Sequence, residues 1–146
     1  MSKAKKILLI TAAVLFLLPI AVKIFVMAVN DVYAVMAEKK LKQLPLPEDT
    51  VCVESFSKAG KLAGNGNRMQ YLGVMLITSE LPLEQLEEYY SQYDDCYVWA
   101  QDTARIEHLH GRLSFRTDPV PENAYMVELW GDEPAWFFVD FDIRGH

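Results

Sequence analysis

The chain has 146 residues, with 14 Lys and Arg against 20 Asp and Glu and a formal charge of -6, which is the length of one domain and not of a multidomain enzyme. Lys3, Lys5, Lys6 and Lys23 are the only ionisable side chains before Asp31, so residues 31–146 hold 10 basic groups against 20 acidic and stand at -10. Such a surface repels phosphate backbones, which excludes nucleic-acid binding as a reading, and it disfavours docking of the outer part on anionic lipid.

Residues 1–6 form a basic stub. Ile7 to Val29 follows as an aliphatic and aromatic run of 23 residues interrupted by Thr11, Pro19 and Lys23, long enough as a helix to cross the about 30 Å of bilayer hydrocarbon. Lysines placed just before a span hold that end in the cytoplasm and send the rest outside. The reading is a signal-anchor helix over residues 7–29, with Pro19 removing one hydrogen bond and Lys23 reaching for the headgroups. The alternative is a secretory signal cut near Ala28, leaving a secreted binding protein. Against it, Val26-Met27-Ala28 fits the small-x-small rule loosely, and the hydrophobicity runs on past Pro19.

Residues 30–47 are expected to be a helical stalk and a Pro-containing linker. Residues 30–44 have neither Gly nor Pro, and Val32, Val35, Met36, Leu41 and Leu44 recur at spacings compatible with one apolar stripe. Pro45 and Pro47 end the helix and open an extracytoplasmic domain over residues 48–146.

Within that domain Thr50 to Ser57 reads as a strand, with Val51, Val53 and Ser55 on one face and Cys52, Glu54 and Phe56 on the other. The Gly- and Asn-rich stretch 58–67 is a turn and lacks the Lys-Ser/Thr ending of a phosphate loop. Met69 to Thr78 is nearly uncharged and predicts a strand covered on both faces. A helix follows, capped by Ser79 with Pro82 in its first turn, and Leu83, Leu86, Tyr90 and Tyr93 turn toward the sheet. Further strands are expected over Cys96–Gln101 and Leu113–Thr117, then a terminal hairpin of Tyr125–Trp130 with Ala135–Ile143. The predicted class is α+β: an N-terminal transmembrane helix and stalk, then a mostly antiparallel β-sheet packed with one α-helix.

Three constellations could carry chemistry. Cys52 and Cys96 lie in predicted strands on the exported side, which makes them a disulfide candidate. His108 and His110 flank Leu109, and in a strand both would point the same way, toward a metal shared with a third ligand such as Asp102 or His146. That pair underlies the alternative of a metal-dependent enzyme. Trp136, Phe138, Asp140 and Asp142 share one face of the last predicted strand and form a candidate interaction surface for a protein partner or glycan. No catalytic residue and no cofactor is assigned, because neither a His-Glu-x-x-His helix nor a Gly-x-Ser-x-Gly elbow is present. The expected function is that of a small accessory or protein-interaction module of the cell membrane. Its expected partners are the bilayer, through residues 7–29, and a membrane or extracellular protein.

Overall fold

The computed structural model describes residues 2–146, apart from the side chain of Phe137. A single helix, α1, runs unbroken for 41 residues from Lys3 to Gln43, with Pro19 inside it. It is the one helix among the described residues that is long and apolar enough to cross a membrane. Lys40 and Lys42 sit in its last turn, where cations complement the helix dipole. The Pro45-Leu46-Pro47 stretch beyond it cannot continue the helix.

Four strands follow in one antiparallel sheet of order β1-β2-β4-β3: β1 Thr50–Gly60, β2 Gln70–Ser79, β3 Cys96–Ala100 and β4 Ala124–Trp130. A short helix, α2 (Leu83–Tyr90), carries the chain from β2 to the far edge, and β4 then returns between β2 and β3. The α+β class is therefore as the hydropathy pattern predicts. Alternation on β2 sends Met75 and Ile77 toward the helices, where Leu41, Leu86, Tyr90, Val127 and Leu129 close one core. Leu72, Val74 and Leu76 point the other way, into a second core with Ile106, Leu109, Leu113, Phe115 and Met126. Covered on both faces, β2 needs no polar side, and its apolar composition follows.

Two predicted strands are absent. Residues 113–117 contribute only an isolated bridge between Arg105 and Ser114; the segment between β3 and β4 instead crosses the sheet face and buries Leu113 and Phe115 in the second core. Residues 135–143 do not pair with β4 because both of its edges are already taken, by β2 and by β3. With no edge to join, this segment winds into two 3₁₀ turns, Phe137–Phe141 and Ile143–Gly145. In β1 the expected faces are interrupted at a bulge between Cys52 and Glu54, which reverses the alternation beyond it. The cap of α2 also differs, since Pro82 is its N-cap while the Ser79 hydroxyl accepts from the Leu81 amide at 3.2 Å.

The proposed Cys52–Cys96 disulfide is corrected by the strand order. Both thiols are free, and they belong to β1 and β3, the opposite edges of the sheet. Three strand spacings of about 4.8 Å already separate them by roughly 14 Å, and the register adds a further offset along the strands, well beyond the reach of a bridge, which needs Cα atoms within about 7 Å. Cys96 is buried, and that burial, with the nearby Glu128 carboxylate, pushes its thiol up to about 12, so it stays protonated and inert.

Candidate functional site

The upper half of α1 buries Val26, Asn30, Ala34, Ala37 and Leu41 against the domain, a 4-4-3-4 spacing that keeps one face inward. The expected stripe lies largely elsewhere, with Val32 at 58% and Met36 at 56% exposure. Small residues occupy the contact because the backbones come close. A Cβ on Gly73 of β2 would stand 2.5 Å from the Glu38 nitrogen, and one on Gly131 would stand 3.1 Å from the Ala37 Cβ. At this crossing, size outranks hydrophobicity in choosing residues.

Just below this crossing, a buried polar cluster ties α1 to the C-terminal segment. Asn30 is fully buried and its Nδ2 donates to the Asp142 carboxylate at 3.0 Å and to the Val139 carbonyl at 3.1 Å. Its Oδ1 accepts from the Tyr71 hydroxyl at 2.8 Å, so both ends of the amide are used. Arg144 closes the cluster: its guanidinium donates to Asp142 at 2.7 Å, to Asp31 at 2.7 Å and to the Met27 carbonyl at 3.1 Å. Burial works to raise the Asp142 carboxyl, but hydrogen bonds from Arg144 and Asn30 outweigh it and hold the pKa below the ordinary range. The same pairing with Asp142, against the cost of burial and with help from Asp31, raises Arg144. A buried carboxylate with every neighbour donating to it is a fixed structural anion, not a free ligand.

Beside this latch the C-terminal segment meets the apolar half of α1. Trp136, Phe138 and Val139 line one cavity of about 180 Å³ together with Val22, Phe25, Val26 and Val29. With three residues per turn, 3₁₀ geometry superposes positions i and i+3, so Val139 and Asp142 both turn inward and are buried, while Phe138 and Phe141 both stay exposed. Trp136, at 59%, and Ile143, at 67%, are exposed as well. Asp140 lines a neighbouring groove with Arg68, Met69, Tyr71 and Glu133, and Trp136 and Val139 border that groove as well as the cavity. Of the four residues expected to share a face, Trp136 meets Phe138 at the first cavity and Asp140 at the second, while Asp142 is interior.

The histidines separate too. His108 Nε2 lies 3.1 Å from the Glu128 carboxylate, whereas His110 Nε2 lies 3.2 Å from the Gly64 carbonyl. Among the described residues no group of three His, Cys, Asp or Glu side chains is placed to hold a metal ion. Glu128 is buried on β4 and also accepts from the indole nitrogens of Trp99, at 3.1 Å, and Trp130, at 3.4 Å. Trp99 stacks on the His108 ring with centroids 4.5 Å apart. This cluster floors an open groove of about 430 Å³ that also includes Gln70, Asp95 and Tyr97. Three donors already occupy the carboxylate, and the arrangement offers no nucleophile beside a base.

Sequence reasoning missed Asn30, Asp31, Tyr71, Glu128 and Arg144. Asn30 and Asp31 carried one available signal, as the first polar pair after the apolar run; the others are joined only by the fold. The chain matches no family model, and no curated protein or solved structure is similar to it.

Proposed function

We propose that this chain is an uncleaved, single-pass membrane protein that holds a small acidic domain directly against the outer face of the bilayer, as an accessory or protein-interaction module. One observation carries the reading. Helix α1 passes without a break through Ala28, and residues on both sides of that position are bound into the domain: Val26 is buried, the Met27 carbonyl accepts from Arg144, and Asn30 sits at the centre of the buried cluster. A peptidase cut near Ala28 would remove the first two of these and leave the third at a fraying chain end. Signal sequences are instead discarded without cost to the mature fold.

Orientation rests on Lys3, Lys5 and Lys6, which precede the span and favour the cytoplasmic side. The outer domain, at -10, is kept off anionic lipid and off other copies by its own charge, so its free surface is available to a neutral or basic protein partner. Protease added to intact cells tests this placement. The reading expects loss of a C-terminal epitope from a protein that remains in the carbonate-washed membrane pellet. An untouched epitope, or the epitope recovered from the medium, would overturn it.

A further inference from the structure

We infer that the C-terminal segment around Trp136–Ile143 is a second membrane contact, lying in the outer leaflet alongside the spanning helix and fixing the domain's tilt on the bilayer. The inference rests on the anchored reading above and adds to it a lipid-facing surface on the folded domain itself.

The argument begins with level. At 1.5 Å per residue the run from Ile7 uses up about 30 Å of hydrocarbon near Met27. Val22, Phe25 and Val29 therefore bracket the outer boundary, and they share one apolar cavity with Trp136 and Phe138. The aromatic pair thus stands at the depth where Trp and other aromatics collect in membrane proteins. Phe25, at 62% exposure, and Trp136, at 59%, form one continuous apolar surface from helix to domain, and that continuity names lipid as its cover.

Polarity is sorted to match. Asp142, buried beside this layer, is paired with Arg144 and hydrogen-bonded by Asn30, while Asp140 faces the groove of Arg68 and Glu133, which Trp136 borders at its other side. Three backbone donors in and just beyond the segment are satisfied locally: the Val139 amide donates to the Trp136 carbonyl, Asp142 to Val139, and Gly145 to Asp142. A segment entering the interface needs that self-sufficiency. The exposed Phe141, its ring 6.0 Å from that of Phe138, extends the patch beyond the cavity. Because the domain is strongly acidic, the contact is apolar in origin, and it should hold on neutral lipid and survive salt.

The experiment uses the full chain reconstituted in phosphatidylcholine vesicles whose acyl chains are brominated either near the glycerol end or near the methyl end. Trp136 fluorescence should be quenched, more strongly by the shallow bromines. W136F should lose that quenching, while W130F, altered on the opposite sheet face, should keep it. Equal quenching of W136F and wild type would overturn the inference, as would absence of shallow quenching in wild type. If a second copy covers the patch, quenching is absent and copies cross-link through position 136, which also overturns it. Failure of the anchored reading looks different, because the chain would then leave the vesicles on carbonate washing.

Discussion

The two halves of α1 obey opposite rules within one unbroken helix. Below Val26 the side chains are large and aliphatic, and an 18-residue window of mean hydropathy 2.6 has none of its residues buried in the protein. Above it the inward face is Asn30, Ala34, Ala37 and Leu41, small or polar at three of four positions, and fully packed. Hydrophobicity marks the exposed half, which is apolar enough to enter a bilayer; smallness and hydrogen bonding mark the half that packs on the domain. The lesson is that an apolar stripe is a poor guide where backbone crosses backbone, and there a glycine on the partner strand is the better one.

That contrast can be broken first at the latch. Arg144→Ala would strand Asp142 inside the cluster, and a loss of about 3 kcal/mol is expected in denaturant titrations of the detergent-solubilised chain. Acid should act on the same group. The Asp142 pKa is lowered by folding, so its contribution is fully present above the ordinary carboxyl range and is lost as pH falls below about 4. Asp142→Asn should lower stability at neutral pH and flatten that acid limb, as thermal melts across pH would show.

At the crossing, Gly73→Ala places a methyl against the Glu38 backbone, and overpacking of this kind costs about 1–3 kcal/mol. Its signature is faster amide exchange over residues 34–41, with α1 below Val26 unaffected. A smaller effect of opposite sign is expected at Tyr90, whose buried hydroxyl has no hydrogen-bond partner among the described residues. Tyr90→Phe removes an uncompensated polar group and should be neutral or stabilise by up to about 1 kcal/mol. Least of all, Met36→Ser on the exposed side of the helix should shift stability by no more than about 0.5 kcal/mol, although Met36 belongs to the apolar stripe expected there.

Much of the architecture could be read from local pattern. The long apolar run, the near-continuous hydrophobicity of β2, and Leu86 with Tyr90 on α2 each reflect one solvent or one face, and periodicity reports faces well. What failed depended on which strand edges were free. Ala135 to Ile143 alternates as a strand should, yet β4 had no edge to offer it. Cys52 and Cys96 lie in the elements expected, but strand order put them on opposite edges. The latch was illegible for a related reason: Asn30 and Asp142 meet across 112 positions, and no local rule joins them.

The central claim is that the packed upper half of α1 stays attached to the oily lower half. Intact mass of the native protein extracted from membranes measures this directly. The account predicts a mass that includes residues 1–28. A species lighter by about 3 kDa, with a new amino terminus close to residue 28, is what a cleaved signal would leave, and finding it would contradict the account.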